Sequence, residues 1–154
     1  RTFSKAYGLA GLRIGVLTGN VEQMRMVRHA SSPYNVNSVA LACLPDALAD
    51  GEYVQQYVHE VVNGRDLFEK ELKSRGIKFW PSRANFVLMH IGPNIPAFIA
   101  AMRTRGILVR DRSSDHGCEG CVRITLGSTA QTEQLLKALG EVAGEIGIPQ
   151  KAGA

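Results

Sequence analysis

Lys5 and Arg13 stand out in RTFSKAYGLAGLRIG (Arg1 to Gly15) as cations set among small and apolar residues. A solvated surface would carry more charge than this, and a buried core would carry none. A lysine amine acts as a covalent catalyst by forming a Schiff base with a carbonyl. It does so best in a partly desolvated or cation-rich pocket that lowers its pKa. Arg13 offers a planar fork suited to a phosphate. Thr2 and Ser4 add hydroxyl donors, and Gly8 and Gly11 let backbone approach a ligand closely. A phosphate-bearing aldehyde would engage all of these groups at once. A surface lysine and a salt-bridged arginine remain the alternative on these residue types alone.

Two further arginines invite the same question. Arg123 interrupts the apolar run CVRITLG, where a charge is costly unless it is paired. Either it is paired, or its stem packs while its head reaches water. Arg110 ends ILVR, and Asp111 and Arg112 beside it can form a surface pair. HGCEGC (His116 to Cys121) holds a C-x-x-C pair. A structural zinc site wants four ligands and no second pair lies at a usable spacing, so a turn entering a strand is expected and no metal. Asn85 is expected to bond to backbone rather than to orient a substrate. Tyr34 either lines a partner's site or packs its own loop. His29 and His59 read as helix-surface residues, and His90 belongs to no motif.

The elements that must position these groups follow from pattern. RIGVLTG (Arg13 to Gly19) reads as a strand closed by a turn at Gly19-Asn20. NVEQMRMVRHA has an Asn cap and apolar residues at helical spacing. SSPYNVNS is a loop by composition, and VALACLPDALAD a helix interrupted or kinked near Pro45. From Gly51 to Gly76, Tyr53, Tyr57, Val61, Leu67 and Leu72 mark a long amphipathic helix with cations and a glycine at its end. Then come strands IKFW and ANFVLMHI, a helix NIPAFIAAMRTRG, strands ILVRD and CVRITLG, and a last helix capped by Ser128. That order predicts a small α/β layer with helices on one face of a sheet. A domain boundary is expected near residues 40–50, dividing the chain into 1–45 and 46–154.

Composition narrows the classes. The chain has 154 residues, 45% hydrophobic and 21% charged, the balance of an ordered globular protein. Its net charge of +4 comes from 18 basic against 14 acidic residues. These are scattered without a basic run, so anionic small molecules rather than nucleic acid are the expected partners. No apolar run approaches the roughly 18 residues of a membrane span, and the start does not read as a signal peptide. The cysteine count of three argues against a disulfide framework and for a reducing cytoplasm. The first residue is not methionine, which makes a piece of a longer chain the expectation.

The string TFSKAYGLAGLRIG resembles the lysine segment of fold-type I pyridoxal-phosphate enzymes, above all the histidinol-phosphate aminotransferases. PYNVNS (Pro33 to Ser38) resembles that family's interdomain loop, and SRANFVL (Ser82 to Leu88) its S-x-A-N-F strand. GILVRD (Gly106 to Asp111) and CVRITLGS (Cys121 to Ser128) are similar to its last two strands in order and spacing. The resemblance implies an aspartate-aminotransferase-like α/β fold, with 1–45 ending the large cofactor-binding domain and 46–154 forming the small C-terminal domain. It implies pyridoxal 5'-phosphate held through Lys5, with Arg13, Ser4 and Thr2 at its phosphate. It also implies Arg123 at the substrate carboxylate and Arg110 at the substrate's other anionic end. The activity implied is amino transfer from glutamate to imidazole-acetol phosphate in histidine biosynthesis, by a cytoplasmic homodimer acting on small amino and keto acids. Threonine-phosphate decarboxylase, an aromatic or other aminotransferase, or a non-catalytic folded piece are the rival expectations. In that family an aspartate for the pyridine nitrogen, and an asparagine and tyrosines for the ring and phosphate, precede the lysine. None of that sequence lies in this chain, which is therefore expected to be inactive alone.

Overall fold

A computed structural model describes residues 1–148. Contacts divide the chain into two compact units, Arg1–Val58 and His59–Ala154, each described here by itself.

The first unit is a loop and two helices. Residues 1–16 form a closed loop: Thr2 and Gly15 make an isolated antiparallel bridge, and Val16 N–H donates to the Arg1 carbonyl at 2.8 Å. Gly15 suits the crossing because a Cβ there would lie 3.0 Å from the Arg1 carbonyl oxygen. A short 3-10 turn, Ala10–Leu12, ends at Arg13. Helix α1 (Val21–Ala30) starts at Asn20, whose side chain accepts from Glu22 N–H. Helix α2 (Ser38–Ala49) starts at Asn37 and contains Pro45. Phe3, Ile14 and Ala40 are buried together, with Tyr7, Leu9, Leu12, Val36 and Leu44 packed around them.

The strand expected over Arg13 to Gly19 does not form. Only Gly15 pairs, and Val16 and Leu17 are 46% and 64% exposed. A strand needs a neighbour to satisfy its backbone. Among the described residues only Thr2 offers pairing, at a single position.

Helix α3 (Gly51–Ser74) runs from the first unit into the second. Its buried stripe is Val61, Gly64, Phe68 and Leu72, at the spacing of one helix face. Tyr53 and Tyr57 stack on each other with ring centres 6.4 Å apart, both exposed, so the expected apolar stripe shifts to Phe68 in place of Leu67.

In the second unit, strands β1 (Phe79–Trp80), β2 (Phe86–His90), β3 (Arg110–Asp111) and β4 (Cys121–Thr125) make one antiparallel sheet in the order β1-β2-β4-β3. Helix α4 (Ile95–Thr104) connects β2 to β3, and α5 (Thr129–Ile146) follows β4. The predicted succession of strands and helices is the observed one. Val87 and Met89 on β2 and Val122 and Ile124 on β4 are buried against Phe68, Leu72, Phe98, Met102, Leu139 and Val142 from the helices. This alternation sends Phe86, Leu88 and Arg123 to the opposite face. Ser128 opens α5 with a reciprocal cap: Gln131 N–H donates to Ser128 Oγ, and Ser128 N–H donates to Gln131 Oε1. Among the described residues no helix is long and apolar enough to cross a membrane.

Candidate functional site

The four residues predicted for a phosphate-bearing aldehyde share the loop of the first unit. Thr2 sits in the bridge that closes it, and Thr2 Oγ1 accepts from Ser4 N–H at 3.1 Å. That bond turns the chain just before Lys5, whose side chain is exposed. The Lys5 carbonyl accepts from Gly8 N–H and the Phe3 carbonyl from Leu9 N–H, so a compact bend holds the lysine. Arg13 closes the 3-10 turn with φ 53°, the one non-glycine residue in the left-handed region among those described. That conformation costs about 1 kcal/mol or more for an L-residue. One guanidinium nitrogen donates to the Ala10 carbonyl at 3.0 Å, fixing the near end of the fork. No carboxylate pairs with Arg13 among the described ion pairs, so the salt-bridge alternative does not arise within them.

Asn37 ties this loop to α2. Its Nδ2 donates to the Leu12 carbonyl at 3.0 Å, and its Oδ1 accepts from Ala40 N–H at 2.8 Å. Sequence reading placed Asn37 in a loop and gave it no role. Its position before SVALA is an N-cap signature, which was the available signal.

Arg110 and Arg123 belong to the second unit and are directly opposite in the β3–β4 ladder. Both line a cleft of about 330 Å³ with Arg103, Leu108 and Thr125. Arg123 Nε is buried without a hydrogen-bond partner, and its guanidinium lies 5.2 Å from the Phe86 ring centre. Cation–π contact offsets part of the cost of burying the charge, but the unpartnered N–H still calls for an acceptor. The stem of Arg123 packs with its Nε buried, and the residue as a whole is half-buried. Asp111 accepts from the Ser113 main-chain N–H and hydroxyl, which hold its carboxyl below the usual range, hydroxyl first. Arg112 pairs with Asp115. With both neighbours engaged elsewhere, Arg110 is left exposed and facing Arg123. Sequence reading missed Arg103 in this cleft and Phe86 beside Arg123; ANF gave no hint that the ring would lie by an arginine.

The remaining residues are quickly placed. Asn85 joins the sheet through its carbonyl, which accepts from Leu126 N–H at 2.8 Å. Tyr34 is 92% exposed on its loop. His29 and His59 lie exposed on α1 and α3, and His90 is half-buried on β2. Cys118 and Cys121 are both free thiols. Among the described residues no three His, Cys, Asp or Glu side chains are grouped to hold a metal ion.

The first unit thus offers a lysine on a tight bend beside a half-committed guanidinium, and the second, separately, a pair of arginines with no carboxylate partner among the described residues.

Residues 1–139 match the model of the family described as aminotransferase class I and II. The chain belongs to that family, and its fold is the aspartate-aminotransferase-like α/β fold of the fold-type I enzymes. It is 40% identical over 143 residues to a histidinol-phosphate aminotransferase of Caldanaerobacter subterraneus subsp. tengcongensis, covering 92% of this chain and 40% of that one. A solved histidinol-phosphate aminotransferase from Sinorhizobium meliloti, in complex with pyridoxal-5'-phosphate, superposes with a TM-score of 0.80 at 29% identity. That match covers 95% of this chain and 40% of the other. An L-threonine-O-3-phosphate decarboxylase from Porphyromonas gingivalis gives 0.72 at 28% identity, over 93% and 45% of the two chains. The chain spans about two fifths of the length of the curated relatives it matches.

Proposed function

We propose that this chain is the C-terminal part of a pyridoxal-phosphate-dependent histidinol-phosphate aminotransferase. The reaction would pass an amino group from glutamate to imidazole-acetol phosphate, giving histidinol phosphate and 2-oxoglutarate. Residues 1–45 would end its large domain and residues 46–154 form its small one. The observation that carries the reading is the pair of unpaired arginines, Arg110 and Arg123, on one ladder position of a family member. A substrate with a carboxylate and a phosphate offers one anion to each.

Pyridoxal phosphate, when bound, supplies an aldehyde for covalent attachment and a conjugated ring that draws electrons from the substrate. In this reading Lys5 holds the cofactor and takes the proton from the substrate Cα. Arg13, with the Ser4 and Thr2 hydroxyls, would bind the cofactor phosphate, using the guanidinium donors not committed to Ala10. Arg123 grips the substrate carboxylate with two parallel N–H donors, and Arg110 takes the substrate phosphate. The parent would act as a cytoplasmic homodimer. Exposed Val16, Leu17, Met26 and Tyr34 in the first unit support a surface that is covered in an assembly.

The test is a Lys5→Ala variant of the full-length protein. Amino transfer should be lost, and borohydride should fix no cofactor to the chain. Cofactor retained covalently on another lysine would overturn the role of Lys5. Likeness to the threonine-phosphate decarboxylase supports a second reading. Carbon dioxide release from threonine phosphate, exceeding amino transfer to imidazole-acetol phosphate, would select it.

A further inference from the structure

The C-x-x-C segment takes no part in the function proposed above, yet it is built to bring two thiols together. Cys118 and Cys121 end a four-residue turn in which Cys121 N–H donates to the Cys118 carbonyl at 2.9 Å. Gly120, inside the turn, has φ +74°, a conformation that glycine adopts without strain. A β-turn keeps its end Cα atoms within about 7 Å. A disulfide needs about 4.4–6.8 Å between them. Cys121 Sγ is folded back onto the turn, donating to the Glu119 carbonyl at 3.7 Å.

The surroundings hold the turn in place. Cys118 N–H donates to the Asp115 carbonyl, and Asp115 pairs with Arg112. The Gly120 carbonyl accepts from Ile91 N–H, and the Cys121 carbonyl from Arg112 N–H. The two thiols differ in access: Cys121 is 1% exposed and Cys118 half-buried. Burial, and then the neighbouring Cys118, push the Cys121 thiol up, so it stays protonated while Cys118 meets solvent.

We propose that Cys118 and Cys121 form a reversible dithiol–disulfide couple whose oxidant is a low-molecular-weight disulfide of the glutathione type. In the first step the Cys118 thiolate attacks one sulfur of the oxidant. The oxidant's S–S bond breaks, one thiolate leaves and takes up the proton that Cys118 has lost, and Cys118 carries a mixed disulfide. In the second, Cys121 gives up its proton and its thiolate attacks the Cys118 sulfur; the mixed S–S bond breaks, and the second small thiolate leaves and takes up that proton. The balance is one protein disulfide and two small thiols, with two electrons passed from the protein to the oxidant.

The experiment uses the full 154-residue chain with Cys43→Ser, which removes the third thiol. It is equilibrated with oxidised and reduced glutathione, quenched by alkylation and peptide-mapped, natively and in guanidinium chloride. The expected product is a Cys118–Cys121 disulfide, reversed by reduced glutathione, with an equilibrium constant at least about tenfold larger in the native chain because the fold holds the sulfurs at a high effective concentration. Adding Cys121→Ser should stop the reaction at a glutathione adduct on Cys118, and adding Cys118→Ser should leave Cys121 reduced. Native chain that stops at adducts without a cross-link, or equal native and denatured constants, would overturn the proposal.

Discussion

Arg110 and Arg123 are direct partners in the β3–β4 ladder, two cations on one face of the sheet with no carboxylate paired to either among the described residues. Like charges placed opposite each other are destabilising, so the arrangement is one that an anion would relieve. Arg123→Lys in the full-length protein keeps the charge and removes the fork. KM for amino donor and keto acceptor alike should rise by roughly tenfold to a hundredfold, the loss of a hydrogen bond to a charged group. Cofactor affinity should stay unchanged. Steady-state kinetics with both substrates decides it; a fall in thermal stability alone would make Arg123 a structural residue.

Arg13 separates backbone strain from ligand binding. Arg13→Ala should weaken cofactor affinity by roughly 1.5–3 kcal/mol. Arg13→Gly should weaken it as much, yet raise stability by about 1 kcal/mol, because glycine takes the left-handed conformation without cost. Cofactor titration and chemical denaturation of both variants test the pair of expectations. Unchanged affinity would return Arg13 to a role confined to its bond with Ala10.

Asn37 makes two bonds that no other residue supplies, one to the 3-10 turn before Arg13 and one to the first turn of α2. Asn37→Ala should cost about 1–2 kcal/mol, the worth of a helix cap. Asn37→Asp keeps the acceptor for Ala40 N–H but loses the donor to Leu12. It should recover most of the stability while the amides of residues 9–15 exchange faster with solvent. Hydrogen exchange on the two variants distinguishes these effects.

Glu60 on α3 accepts from Thr129 N–H at 3.1 Å at the start of α5. That main-chain bond, and then the Thr129 hydroxyl, hold its carboxyl below the usual range. A carboxyl with a depressed folded-state pKa contributes stability above its unfolded pKa and loses it as pH falls through the folded value. Acidification below the ordinary carboxylate range should therefore weaken the Glu60–Thr129 tie. Glu60→Gln should lower the thermal midpoint at neutral pH and flatten its slope in acid, both read from melting curves across pH.

What the sequence determined by itself was local. Asn20 and Ser128 announced their helices because a cap acts through backbone N–H groups two or three residues away. Val87, Met89, Val122 and Ile124 announced a one-sided sheet because alternation is a property of each strand alone. The loaded stretch around Lys5 and Arg13 was legible because its residue types are rare company for one another. Tertiary structure decided the rest. RIGVLTG has the residues of a strand but, among those described, only Thr2 to pair with, and pairing belongs to the neighbour. No local rule sets Arg13 in the left-handed region or ties Asn37 to Leu12 across a separation of 25 positions. The meeting of Arg110 with Arg123 depends on the register of two strands separated by a nine-residue loop of several turns, and register follows from which faces are buried once the helices have packed.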